Sequence, residues 1–217
     1  FSYAFAQHTH LLPGPRGVYS DVLTSMIRAH CVGRDICLVG NKGAGKSVLA
    51  NEFSRALGYD GTAELICAYR DMSPRDLLMS RSTNDVGDTV WRPSALVSAA
   101  KTGSLAVLDG VHRLTDDTLG MLASLCNDRE AQLFDGTRLV SHHRFDKLAS
   151  EMWASKAPSS PSSPSFASLE ECNLELERRG LLRVHPSFRI LALAEPPGKG
   201  GAAAGAEPWL HSETLPL

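Results

Sequence analysis

The chain has 217 residues, a length suited to one main domain built around one hydrophobic core. Hydrophobic residues make up 43%, charged residues 21% and the formal net charge is -2, so the composition gives no electrostatic support for non-specific binding to nucleic acid or to an anionic membrane. No apolar stretch approaches the ~20 residues that span a bilayer, and the five cysteines form no CxxC pair, which favours a reducing compartment over secretion.

The N-terminal part of the chain predicts a lead-in segment, a helix and a strand. Residues 1–17 are aperiodic and broken by two prolines, so we expect them to lie over the domain surface. Ser20 is placed to cap a helix that stops at Gly33, and the apolar run 36–39 then predicts a buried strand. The main domain is expected to span residues 18–217, within a longer protein, since the chain does not begin with Met.

A phosphate-binding loop is predicted directly after this strand. The stretch GNKGAGKS fits the pattern G-x-x-x-x-G-K-[ST] and comprises Gly40, Asn41, Lys42, Gly43, Ala44, Gly45, Lys46 and Ser47. Glycines let the main chain form a cradle of inward-pointing amides, and the following helix adds the positive end of its dipole. Lys46 is expected to reach the β and γ phosphates of ATP and Ser47 to bind magnesium. The alternative is a structural turn with a solvated lysine.

Strands and helices then alternate. A helix is expected at 47–57, and two further strands, 65–69 and 105–108, are followed by helices that start near Pro74 and cover 116–127. This alternation predicts an α/β fold with a parallel sheet and helices on both faces.

Asp109 ends the strand 105–108, at the edge where parallel sheets bind ligands. A carboxylate in this position holds magnesium in P-loop enzymes, and we expect the same of Asp109. The alternative is that Asp109 only caps the next turn, where Asp is common.

The C-terminal part of the domain predicts a hairpin, a helix and a last strand. Asp135 and Gly136 mark a hairpin turn between two short strands. The Ser/Pro-rich stretch 154–168 predicts a flexible surface insertion. A charged helix is expected at 169–179 and a buried strand at 188–193, followed by a Gly/Ala-rich loop.

Several longer stretches resemble the MoxR and midasin branch of the AAA+ ATPases. Besides the phosphate loop they are YRDMSPRDLL, GDTVWRPSALVSAA, LAVLDGVHR, NDREAQLFDGTRLV and HPSFRILALAEPP. The resemblance implies a P-loop NTPase fold and hydrolysis of Mg-ATP. It also implies an assembly in which neighbouring modules, often copies of one protein, complete each nucleotide site. It further implies a lid subdomain and an arginine finger beyond Leu217, and a mitochondrial location.

The sequence departs from the pattern of this branch at two positions. The magnesium strand normally ends in Asp-Glu, with the Glu polarising the attacking water, but Gly110 stands here. The next strand normally ends in a polar sensor, usually Asn, where this chain has Glu195. Adjacent parallel strands lie about 4.8 Å apart, so Glu195 could replace the missing base.

Three interpretations of these departures stay open at the level of sequence. In the first, the transplanted carboxylate supports hydrolysis. In the second, the module binds ATP without hydrolysing it and serves as a nucleotide-stabilised structural unit. In the third, a neighbouring subunit supplies the chemistry. A small-molecule kinase is disfavoured because nothing resembles an acceptor site.

The remaining polar candidates are interpreted as ordinary surface residues. His112 and Arg113 follow the magnesium strand and are expected to be a solvated pair, with a place near the γ phosphate as the alternative. His142 and His143 have no companions at metal-ligand spacing and are interpreted as loop histidines.

Overall fold

A five-stranded parallel sheet forms the centre of the fold. The computed structural model describes residues 2–5, 17–59, 61–83, 85, 87–154 and 169–196. The strands are β1 (Ser2–Phe5), β2 (Ile36–Val39), β3 (Glu64–Cys67), β4 (Met79–Thr83), β5 (Thr89–Pro93), β6 (Leu105–Asp109), β7 (Ala131–Gln132), β8 (Arg138–Val140), β9 (Leu181–Arg183) and β10 (Arg189–Ala194). The order in the central sheet is β1-β2-β10-β6-β3.

Seven α-helices lie in the described ranges. They are α1 (Gly17–Cys31), α2 (Lys46–Ala56), α3 (Pro74–Leu78), α4 (Ala95–Thr102), α5 (Asp116–Asn127), α6 (His142–Ala154) and α7 (Leu169–Arg178), with a short 3-10 helix at Val111–Arg113. Among these helices, none combines the length and the apolar character that crossing a membrane requires.

The three inner strands β2, β6 and β10 are buried, and their side chains alternate between the two faces of the sheet. In β2, Ile36 and Leu38 pack on one face in a cluster with residues of α1 and α2. Cys37 and Val39 point to the other face and join a cluster that includes residues of α3, α4 and α5. The predicted α/β fold, with a parallel sheet covered by helices on both faces, is confirmed.

Two smaller sheets flank the core. The strands β4 and β5 form an antiparallel hairpin. The strands β7 and β8 form the hairpin predicted around Asp135 and Gly136, and β9 extends it in parallel. The helices α6 and α7 enclose a separate cluster that contains Phe145 and Cys172.

The N-terminal segment differs from the prediction in two respects. Residues 2–5, expected to lie over the surface, form an edge strand that pairs with β2 and satisfies backbone groups that an unpaired edge would expose. The helix α1 begins at Gly17, so Ser20 lies inside its first turns rather than capping it. The helix extends N-terminally past Ser20, and Tyr19 packs against the apolar cluster beneath α1.

The interpretation of His142 and His143 as loop residues was wrong. They begin α6, which forms because Phe145 and Ala149 recur at helical spacing and are both buried. The predicted insertion at 154–168 lies outside the described residues except for Ala154, which ends α6. The loop expected after the last strand also lies outside them.

Candidate functional site

The phosphate loop leads from β2 directly into α2. Gly43 and Gly45 adopt positive φ angles of 81° and 79°, a conformation that L side chains rarely adopt. A Cβ atom on Gly45 would also lie 2.8 Å from the hydroxyl oxygen of Tyr19. Backbone conformation and close approach therefore both require glycine at this position, as the motif predicts.

Lys46 is held against the loop that precedes it. Its half-buried ammonium donates to the main-chain oxygens of Gly40, at 2.7 Å, and Asn41, at 3.0 Å. Because α2 begins at Lys46, the first amides of the helix have no intrahelical acceptor. The positive side chain of Lys46 and the free amides at the start of α2 therefore lie together at the loop. This arrangement favours the binding of anionic phosphates.

Asp109 lies two strands away from the phosphate loop, at the same edge of the sheet. It pairs with Leu193 of β10, which pairs in turn with Leu38 of β2. At the usual strand spacing the backbones of β6 and β2 are about 10 Å apart. The sheet therefore brings the half-buried Asp109 and the exposed Ser47 of α2 to the edge that carries the loop.

Within the described residues, no group of three or more His, Cys, Asp or Glu side chains is arranged to hold a metal ion. The oxygen groups of Ser47 and Asp109 are of the kind that magnesium prefers, and magnesium usually binds through one or two protein groups plus substrate phosphates. The two residues thus fit a metal ion that arrives with a nucleotide.

Main-chain hydrogen bonds join the three strand ends around Glu195. The amide of Gly40 donates to Ala194 at 3.1 Å, and the amide of Gly110 donates to Leu193 at 2.9 Å. Glu195 is the next residue along and is half-buried. Its backbone therefore lies between the start of the phosphate loop and the turn that follows Asp109.

His112 lies beside Glu195, although the sequence interpretation placed it in solvent. The Glu195 amide donates to Nδ1 of His112 at 3.2 Å, and the ring is half-buried. Burial is the main cause that lowers the pKa of His112 below its ordinary value of 6.5. Among the nearby charges, Glu195 and Asp109 oppose this shift. Arg113 and Lys46 reinforce it, so the imidazole has charged groups of the site on several sides.

The signal that could have identified His112 is its short distance along the chain from the end of β6. Only Gly110 and Val111 separate it from Asp109, and a glycine directly after a strand permits a sharp turn back. The exposed Arg113 turns elsewhere and donates to the main-chain oxygen of Ala68 at 3.4 Å.

A cavity of about 310 Å³ lies beside the phosphate loop and was not predicted. It is lined by Tyr19, Ser20, Leu23, Val48, Leu49 and Glu52. The Tyr19 hydroxyl donates to the main-chain oxygen of Ala44 at 3.4 Å, which joins this cavity to the loop. Its walls are mainly apolar, as suits a flat ring system rather than a charged group.

The chain is similar to several known proteins. The pattern of the AAA domain family, dynein-related subfamily, matches residues 35–208. The chain is 41% identical over 199 residues to von Willebrand factor A domain-containing protein 8 of Mus musculus, covering 92% of this chain and 9% of that relative. A crystal structure of a candidate ATPase from Cytophaga hutchinsonii is similar over 84% of this chain and 40% of that one, with 14% identity and a TM-score of 0.47. The chain therefore belongs to the dynein-related subfamily of AAA domains.

Proposed function

We propose that this module binds Mg-ATP at the phosphate edge of the central sheet and hydrolyses it to ADP and phosphate. The single observation that carries the proposal is that the ends of β2, β10 and β6 lie side by side at one edge of the sheet. The phosphate loop and Glu195 directly follow β2 and β10, and Asp109 ends β6. These three strands are neighbours in the sheet, and main-chain hydrogen bonds link their ends. A nucleotide site of this type needs a phosphate cradle, a carboxylate for the metal ion and a base, all at one edge.

Binding is assigned to the loop and to the neighbouring cavity. The loop amides and Lys46 hold the phosphates, with the N-terminus of α2 adding its dipole. The adenine ring takes the apolar cavity that Tyr19 and Val48 help to line. Magnesium, when bound with the nucleotide, neutralises phosphate charge, and Ser47 and Asp109 are the residues that would hold it.

Hydrolysis is assigned to Glu195. Its carboxylate takes a proton from a water molecule as the water oxygen bonds to the γ phosphorus, and the bond to the bridging oxygen of ADP breaks. Gly110 has no side chain that could do this. Loss of a general base typically costs a factor of about 10² to 10⁴ in rate, so removal of the Glu195 carboxylate should slow hydrolysis measurably.

The second candidate function is a structural module that ATP stabilises without being hydrolysed. Gly110 is the observation that favours it, because the usual Glu is missing. In either case we propose that the module works beside other AAA modules, including copies of the same protein, and in mitochondria. Both points rest on the resemblance to the family.

Nucleotide titration tests the binding site. We expect Lys46→Ala to weaken Mg-ATP binding about 10- to 100-fold, because it removes a charge-assisted contact to phosphate. Lys42→Ala is the matched control, since Lys42 is an exposed lysine of the same loop and should contribute only its main chain. Equal affinity of the Lys46 variant and the parent would contradict the assignment of the site.

Turnover by the full-length protein tests the base. We expect Glu195→Gln to bind Mg-ATP like the parent and to hydrolyse it at least about 100-fold more slowly, because the amide keeps the shape but cannot accept the proton. Asp109→Asn serves as the comparison and should instead reduce the dependence of ATP binding on magnesium. A parent protein that ATP stabilises against heat but does not turn over would support the structural function instead.

A further inference from the structure

His112 joins the two positions at which this chain departs from its family. It lies three residues after Asp109, in the turn that starts at Gly110, and it accepts a hydrogen bond from the amide of Glu195. The two partners are 83 residues apart in the chain. One side chain therefore fixes the end of β10 to the end of β6.

The conformation of Gly110 makes this contact geometrically possible. Its φ of 88° starts the 3-10 helix Val111–Arg113, in which the amide of Arg113 donates back to the oxygen of Gly110 at 2.9 Å. The chain thereby reverses directly after β6 and carries His112 toward β10. A glutamate in place of Gly110 would have to adopt a backbone conformation that L side chains rarely adopt.

The chemical form of the ring follows from the direction of the hydrogen bond. Because the Glu195 amide is the donor, Nδ1 of His112 must be unprotonated, and the neutral ring carries its proton on Nε2. Protonation at Nδ1 would place two N–H groups against each other. The contact therefore exists only while His112 is neutral.

We propose that His112 is a positioning residue, which holds the Glu195 main chain through Nδ1 and so keeps the Glu195 carboxylate aligned at the phosphate edge. The inference rests on the proposed hydrolysis at this site. Glu195 immediately follows the end of β10 and precedes Pro196, so its backbone has no further strand pairing to orient it. Small displacements of a reacting group cost as much as about 100-fold in rate, which is why such a contact matters.

Two substitutions distinguish the effect of losing the hydrogen-bond acceptor from the effect of losing the imidazole ring. His112→Leu removes the acceptor and keeps comparable bulk, whereas His112→Asn retains a carbonyl oxygen close to the place of Nδ1. In the full-length protein we expect His112→Leu to lower kcat by about 10- to 100-fold, with the KM for ATP changed by less than about twofold. His112→Asn should recover most of the loss. A residue that only stabilised the fold would not divide kcat from KM in this way.

The pH profile gives a second, independent readout. The charged groups around His112 are Glu195, Arg113, Lys46 and Asp109, and burial keeps its pKa below 6.5. In the parent, kcat should fall as the pH drops through the pKa of His112, because the protonated ring can no longer accept the hydrogen bond from the Glu195 amide. An amide does not titrate, so the acid limb of the His112→Asn variant should lie at lower pH.

Three results would overturn the inference. In the first, a folded His112→Leu variant has the parental kcat while Glu195→Gln is impaired. This result would contradict the role of His112 but not the proposed hydrolysis. Parental turnover by Glu195→Gln would remove the base itself and the inference with it. If the leucine variant does not fold, an unchanged acid limb in His112→Asn would decide against the inference.

Discussion

At the scale of single residues, Gly110 matters both for the side chain that it lacks and for its backbone conformation. The sequence shows the loss of a carboxylate, and the structure adds a φ of 88°. A Cβ atom at this position would also lie 3.3 Å from the guanidinium of Arg113. The backbone of the turn that carries His112 toward β10 therefore requires glycine at this position. This requirement is independent of the loss of the catalytic base.

Substitution of two glycines by alanine tests this requirement. Gly110→Ala should destabilise the fold by about 1–2 kcal/mol, because alanine pays a steric penalty at positive φ. Gly120→Ala is the matched control: Gly120 lies within α5, and a Cβ there would meet nothing within 4 Å. It should stabilise the fold by about 0.5–1 kcal/mol. Urea denaturation measures both, and a shift of the same sign in both variants would contradict the argument.

Local patterns in the sequence predicted where the phosphate loop and Asp109 lie in the fold. The phosphate loop is a local motif between a strand and a helix, and all eight of its residues lie where the pattern predicts. Asp109 was predictable because it ends an apolar strand. The contacts of His112 with Glu195 and of Tyr19 with Ala44 were not predictable, because they join residues that are far apart in the chain.

At the scale of elements, the strands β2 and β6 and the helices α2 and α5 were predicted, while α4 and three strands were missed. The strand β6 and the helix α5 agree with the sequence prediction. The helix α4 was missed although Ser98, Lys101 and Thr102 recur at helical spacing opposite the buried Leu96, Val97, Ala99 and Ala100. The strands β4, β5 and β9 were missed because only tertiary pairing stabilises such short segments.

The packing of the two hairpins was also beyond prediction from sequence. The guanidinium of Arg75, in α3, lies 5.5 Å from the ring of Trp91 and 4.9 Å from the ring of Phe134. Trp91 belongs to β5 and Phe134 to the turn between β7 and β8. One arginine therefore links two hairpins from separate parts of the chain through cation–π contacts. No local pattern identifies such a three-residue contact.

At the scale of the whole molecule, the two ends of the central sheet differ in character. The edge with the phosphate loop carries half-buried and exposed charges, as suits a ligand site. The opposite end is closed by Asp35, a buried carboxylate directly before β2. Asp35 binds Arg129 at 2.8 Å and accepts the amide of Ile190 at 2.8 Å. It thereby joins the start of β2, the start of β10 and the chain that follows α5.

Arg129 shows how firmly this end is fixed. It is the one non-glycine residue with positive φ in the described part of the chain, at 58°. Its guanidinium also lies 5.5 Å from the ring of Phe188. A backbone conformation of this kind persists only where the surrounding contacts enforce it, and the Asp35 carboxylate supplies the strongest of them.

Asp35→Asn should therefore destabilise the fold by about 3 kcal/mol, because it removes the buried carboxylate that pairs with Arg129, whose side chain is only 17% exposed. Glu52→Gln is the matched control, since it breaks an exposed ion pair with Arg55 and should cost less than about 1 kcal/mol. Because Asp35 lies at the far end of the sheet, Mg-ATP affinity should stay at the parental value wherever the variant is folded. Urea denaturation and nucleotide titration measure the two effects separately. Equal stability losses in the two variants would show that the buried pair does not hold this end of the sheet, and a weakened ATP affinity in folded Asp35→Asn would show that the two ends are coupled.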